Sequence, residues 1–442
     1  MAVLDRSKEI EVRGFERFDL RMPEPRRLSN GIPLVVVKRG FQPVCRLDVI
    51  MLGGRYEQPF VRLAHSMANM LSAGTATKTK DEIAEVLDYN GATMASETGQ
   101  HHTITQLISL TSRLPEVLPL CFECITQPSF PERELEQMRR KLRTEVRVLR
   151  ERVEVCAMDA LLANAYGRQH PSAQVLTQEV VSKMRHDVFA DFHKRYFTPA
   201  NCQLILSGNV GDDEIELIDK YFGTWQSDTP AGEIIKAEIR PMRSHISLCH
   251  KREVVQDAVA VNIEAVPRSH PDYVALRVLA CALGGYFGSR LNRNIREDKG
   301  YTYGISASLY GSMNRGDIRI ETECASEYSE LVIAEILKEL AELKRNPLGE
   351  EELRAVKWHM LSQLAEIFDS PFSVANHFSM VVTGLIDIDY FNDQVEQLHT
   401  ITAERLHEVA QKCLCTERLR IAIAGSSATK EVKSRMQKVL VL

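Results

Sequence analysis

No apolar run in this 442-residue sequence reaches the roughly 18 residues that a membrane helix requires, so no membrane span is expected. A strong excess of one charge is also missing. Lys and Arg number 55 against 60 Asp and Glu, a formal net charge of −5, so nothing calls for nucleic acid or an anionic membrane as partner. Basic runs such as Arg139-Arg140-Lys141 alternate with Glu and Leu at helical spacing and read as a solvated helix face. Residues 1–26 have no apolar core and carry Asp5, Glu9, Glu11, Glu16 and Asp19. Neither a secretory signal nor a mitochondrial presequence is expected there. The ten cysteines are scattered rather than dense, which fits a reducing cytoplasm better than a disulfide framework. Cys121-Phe122-Glu123-Cys124 has no second C-x-x-C to complete a zinc ribbon, so two packed thiols are expected, and likewise for Cys413 and Cys415. Gly284-Gly285-Tyr286-Phe287-Gly288 is not followed by Lys-Ser or Lys-Thr, which argues against a phosphate loop.

The chain does have the composition of a globular protein, 44% hydrophobic and 26% charged, at a length that suggests two or more domains. Three landmarks recur in the same order. An amphipathic stretch at Leu114–Gln127 is matched at Tyr328–Arg345. A long helix pattern follows Phe130-Pro131-Glu132 and again Leu348-Gly349-Glu350. A short apolar strand ends in glycine at Gly208 and at Gly425. Turn chemistry at Asp228-Thr229-Pro230-Ala231-Gly232 places the break, giving domains of about 1–230 and 240–442. Alternation through Tyr301, Tyr303, Ile305, Ala307 and Leu309, and again through Ile318–Glu323, predicts half-buried strands. Thr79 with Glu82, and Ser129 with Glu132, predict capping boxes. The fold class is α+β: two tandem homologous domains, each a largely antiparallel sheet with helices on one face.

Two constellations bear on chemistry. The first is His65-Ser66-Met67-Ala68-Asn69, framed by Gly54-Arg55-Tyr56-Glu57-Gln58 and Met70-Leu71-Ser72-Ala73-Gly74. This frame resembles the zinc segment of the inverzincin peptidases, the insulinase, pitrilysin and mitochondrial processing peptidase family, whose helix reads H-x-x-E-H. There two His at i and i+4 hold zinc and the Glu handles the proton of the bound water. Here the first His is His65, but Ala68 stands at the Glu position and Asn69 at the second His. The resemblance makes Glu145 the counterpart of the family's third ligand. His65 and Glu145 alone are too few for tight zinc, and His65 as an ordinary packed helix residue is the favoured reading. No other stretch restores a site. His407-Glu408 is followed by Gln411, and His101 and His102 are adjacent, so on a strand they point apart.

The second constellation is Arg296-Glu297-Asp298-Lys299-Gly300-Tyr301-Thr302-Tyr303, a helix end followed by a strand. It is similar to the family's Arg and Tyr pair, which holds the substrate backbone opposite the zinc. A guanidinium fork and a phenol can hold a carbonyl and its developing charge. A core Tyr and a solvated Arg are the alternative.

The resemblance implies a half-clamshell that pairs with a second half. It implies a zinc-less subunit, of the bacterial branch, of a heteromeric metallopeptidase acting on unfolded peptides. On this reading the chain holds no metal or cofactor, zinc sits only in a homologous partner, and Arg296 and Tyr303 serve that partner's site. The alternative is a catalytically inactive homodimer that binds peptides or is structural.

Overall fold

A computed structural model describes residues 16–18, 21–24, 26–312, 314–415 and 418–440. The reading of residues 1–26 as neither signal nor presequence lies largely outside these. Strands β1 (Arg26–Arg27), β2 (Pro33–Lys38), β3 (Val44–Leu52), β4 (Thr93–Thr98), β5 (His102–Leu110) and β6 (Cys202–Gly208) form one sheet in the order β1-β2-β6-β3-β5-β4. Strands β7 (Ile246–His250), β8 (Gln256–Ala265), β9 (Thr302–Gly311), β10 (Gly316–Ala325) and β11 (Leu419–Gly425) form a second in the order β7-β11-β8-β10-β9. Apart from β1 the two orders are the same. In each, the last strand returns parallel to the first, β6 to β2 and β11 to β7, and the other pairings are antiparallel. The result is two tandem α+β domains in a clamshell-like arrangement, each with a mixed sheet.

The helices of the first half include α1 (Leu63–Asn69), α2 (Lys80–Tyr89), α3 (Leu114–Thr126), α4 (Glu132–Glu151) and α5 (Val153–Tyr166). Helices Ser329–Arg345 and Glu350–Glu366 repeat α3 and α4 in the second half. The capping box of Thr79 and Glu82 is present at α2. The one expected from Ser129 and Glu132 is not. Pro131 is the cap residue of α4, and Phe130 turns into it at φ 44° while the Ser129 N–H donates to Gly74 O. Cys121 and Cys124 are buried free thiols on α3, and burial pushes both above their ordinary range, Cys124 to about 12. Cys413 is buried too, while Cys415 is partly exposed. Among the described residues no helix is long and apolar enough to cross a membrane.

Each sheet was expected to carry helices on one face. Its second face is covered as well, by a helix from the other half. Val153, Ala157 and Leu161 of α5 pack on Ala258, Ala260, Ala422 and Ala424 of the second sheet. Val374, Ala375 and Phe378 of helix Pro371–Val382 pack on Val35, Val37, Ile50 and Ile205 of the first. The cause is visible in the strands. β3 and β8 are buried almost along their length on both faces, and an uncovered apolar face would remain in water.

Each exchanged helix is also held by a buried ion pair on the sheet it covers. Arg46 Nε donates to Asp48 at 3.0 Å, and Arg46 Nη2 donates to Phe372 O at 3.0 Å and Asn376 Oδ1 at 2.8 Å. Arg315 Nη2 donates to Asp317 at 2.8 Å and Arg315 Nη1 to Ala165 O at 3.3 Å, while the Tyr166 hydroxyl donates to Asp317. In both locks the guanidinium also lies over an aromatic ring of the exchanged helix, Phe372 at 5.2 Å and Tyr166 at 4.7 Å.

Candidate functional site

The segment before α1 is fixed by buried polar contacts. Gly54 lies so close to the chain at Gln100 and His101 that a Cβ would sit 2.6 Å from Gln100 O. The buried Glu57 carboxylate accepts from Gly54 N at 3.0 Å and meets His101 Nδ1 at 2.7 Å. Gln58 Oε1 accepts from Ala64 N at 3.1 Å and satisfies one free donor at the helix start. Arg62 enters α1 at φ 75°, a left-handed conformation unusual for a side chain of its size. Leu63, Ala64 and Met67 then face the core, which turns His65 and Asn69 outward together.

Here the family's metal geometry has been replaced by internal contacts. The Asn69 side-chain amide donates to His65 Nε2 at 2.9 Å. Glu145 of α4 is paired with the Arg62 guanidinium. Ala68 is buried and offers no base for a water. Burial, and secondarily the charge of Arg62, hold His65 below its ordinary range against the opposing pull of Glu145. A neutral ring with an accepting nitrogen matches the bond from Asn69. A catalytic zinc site takes about three protein ligands. Here the one imidazole nitrogen and the one carboxylate both already have partners. Among the described residues no group of three or more His, Cys, Asp or Glu could hold a metal ion. The residues do not fit zinc.

The structure therefore brings His65, Asn69, Ala68 and Glu145 into one neighbourhood, with Arg62 between them. Sequence reasoning missed Arg62. Its only signal was a cation one helical turn before His65. His101 meets Glu57 while His102 lines a different cavity, and His407 bonds Gln411 at 2.9 Å.

His65 opens onto a cavity of about 580 Å³ whose far wall comes from the second sheet, with Tyr310, Arg315 and Arg319. Tyr303 does not reach it. Tyr303 lines a separate cavity of about 380 Å³ with Glu154, Glu321 and Glu323. The predicted alternation fails at this residue: Ile305 and Ala307 are buried, but Tyr303 is 90% exposed. A register shift against β10, between Thr322 and Cys324, turns Tyr303 out of the Ile305 face. Arg296 lies in the π-helical segment Asn292–Asp298 with its guanidinium 4.5 Å over the Phe287 ring. The preceding glycine loop sits directly on β9, where a Cβ on Gly284 would come within 2.6 Å of Ala307 N.

Fold and site together define a metallopeptidase scaffold whose metal-binding positions are occupied by other chemistry. Residues 35–179 match the profile described as Insulinase (Peptidase family M16), and residues 183–360 match the one described as Peptidase M16 inactive domain. The chain belongs to the M16 insulinase family. It is 24% identical over 402 residues to the uncharacterized zinc protease YmxG of Bacillus subtilis, covering 90% of this chain and 97% of that one. It is 26% identical over 290 residues to the mitochondrial-processing peptidase subunit beta of Bos taurus, covering 62% and 57%. Among solved structures it resembles the peptidase M16 inactive domain from Pseudomonas fluorescens, with a TM-score of 0.82 at 22% identity over 91% of this chain and 98% of that one. It also resembles a protease from Helicobacter pylori, with a TM-score of 0.78 at 19% identity over 92% and 100%.

Proposed function

We propose that this chain is the non-catalytic subunit of a heteromeric M16 peptidase, working in the cytoplasm with a homologous zinc-bearing partner on unfolded peptides. The observation that carries the proposal is Tyr303. A β-bulge projects its ring, 90% exposed, away from the His65 cavity of its own chain. The fold gains little from a ring held in water, whereas a partner's zinc site gains a positioned phenol donor. Arg296 would supply the second donor, with Phe287 limiting its freedom. Together they would hold the substrate carbonyl and stabilise the oxyanion that forms when a zinc-activated water attacks it.

The test is co-expression with a homologous chain bearing an intact H-x-x-E-H helix, followed by cleavage of a fluorogenic unfolded peptide. The pair should cleave and neither chain alone should. Tyr303→Phe should lower turnover ~100- to 1000-fold, as losing one preorganised oxyanion donor does. Arg296→Lys should also impair, because a point charge cannot reproduce the planar fork. Arg293→Lys, in the same helical segment, should be nearly silent. Full activity in the Tyr303 and Arg296 variants would remove the catalytic role. Light scattering that finds only a self-paired dimer would favour the inactive peptide-binding or structural homodimer.

A further inference from the structure

The cavity at His65 is lined by four arginines, Arg55, Arg62, Arg315 and Arg319, and by no Asp or Glu. Two of the four are neutralised, Arg62 by Glu145 and Arg315 by Asp317. Arg319 is different. It stands on β10, opposite Asn262 of β8 and Ser308 of β9, and its guanidinium stacks on Tyr310 at 4.5 Å. Its Nε is buried with no hydrogen-bond partner among the described residues. A second buried orphan lines the same cavity, the Gln174 side-chain oxygen. Buried polar atoms are normally satisfied, so an unmet donor and an unmet acceptor in one cavity describe what would fill it. The donor takes any acceptor, and because no carboxylate among the described residues is paired with Arg319, an anionic one makes the stronger bond. The acceptor asks for a donor hydrogen, which an ionised carboxylate lacks and a peptide N–H supplies. The volume, about 580 Å³, suits a short peptide segment. Charge then sets its placement. Side chains two apart share a sheet face, and past Arg319 that face carries Glu321 and Glu323, which line the neighbouring cavity with Glu154. An anionic group is therefore welcome only at the Arg319 end.

We infer that the vacated metal site has become a carboxylate-reading site for peptides, with Arg319 as the main donor, Arg55 at the rim, and Gln174 accepting from the peptide backbone. The inference rests on the reading that this family member handles peptides, and it names which peptides: those offering a carboxylate, from the C-terminus or an acidic side chain. The test uses the full chain alone and fluorescence anisotropy of a short labelled peptide. It is made with a free C-terminus or a C-terminal amide, and with Glu or Gln at one internal position. The source of the carboxylate is the change that weakens binding. Arg319→Gln should weaken binding of the preferred peptide roughly ten- to a hundredfold, the scale of a charge-assisted hydrogen bond. Arg55→Gln should weaken it less, and Arg293→Gln should leave it unchanged. Thermal unfolding checks that each variant is folded. If Arg319→Gln does not fold, the exposed Arg55→Gln decides. The inference is overturned if no peptide binds, if acid, amide, Glu and Gln forms bind alike, or if the folded variants bind as the parent does. A chain that selects carboxylates but supports no partner-dependent cleavage keeps this inference and sinks the subunit proposal. Partner-dependent cleavage without carboxylate preference does the reverse.

Discussion

The first sheet offers its exchanged helix a surface of Val35, Val37, Ile50 and Ile205, whereas the second offers Ala258, Ala260, Ala422 and Ala424. The strand order is shared and the helix exchange is reciprocal, yet the bulk sits on opposite partners. In the first sheet the strands supply branched side chains around Phe378. In the second, small strand residues leave room for Val153 and Leu161 of the helix. The polar locks differ in the same way. In the first sheet the acid, Asp48, is on β3 and the amide that donates to it, Gln106 at 2.8 Å, is on β5. In the second the amide, Asn262, is on β8, the counterpart of β3, and donates at 2.9 Å to the acid Asp317 on β10, the counterpart of β5. Topology was preserved between the halves, then, while each interface was filled by a separate solution. Shape and hydrogen-bond satisfaction constrain the sum of a contact and not which partner supplies each part.

The largest test of this comparison removes one acid from each lock. Asp48→Ala leaves Arg46 buried without its carboxylate, and Asp317→Ala leaves Arg315 only the more distant and more exposed Glu264 at 3.8 Å. Each should destabilise by about 3–5 kcal/mol, read by denaturant unfolding. A loss confined to one half would mean that only one of the two exchanged helices is held this way.

Next come the apolar surfaces. Ala422→Leu forces bulk into the contact with α5 and should cost about 1–3 kcal/mol, whereas Ile205→Leu conserves volume on the other sheet and should cost less than about 1.5 kcal/mol. Equal effects in thermal unfolding would show that the alanine surface is not closely filled.

The smallest effect concerns the lost site, which has no counterpart in the second half. Ala68→Glu with Asn69→His restores the family's motif, but Glu145 would remain paired with Arg62. Adding Arg62→Asn, a residue that tolerates the left-handed backbone there, should improve zinc affinity by about tenfold over the double variant, in the range that ligand-orienting neighbours contribute. Metal titration giving the same affinity with and without the Arg62 change would remove Arg62 as a competitor for Glu145.

Much of this was open to sequence reasoning because it is local. The duplication, the capping box at Thr79, the packed thiols of Cys121 and Cys124 and the break in the metal motif each depend on neighbours along the chain. Two local readings failed where a backbone irregularity intervened: Phe130 at φ 44° displaced the Ser129 cap, and a bulge opposite Thr322 turned Tyr303 outward. Periodicity counts residues and does not register one that the ladder skips.

His65, Ala68 and Asn69 by themselves determined that the family's zinc chemistry is broken, since a missing ligand and a missing base are facts of residue type. What took its place was decided only in three dimensions. Arg62 and Glu145 stand far apart in sequence and meet because α4 passes the start of α1. Arg319 enters the same cavity from the other half of the chain. The exchanged helices belong to the same order of fact. Nothing within α5 or within the strands it covers names the other, because an apolar face specifies that it must be buried and not by what.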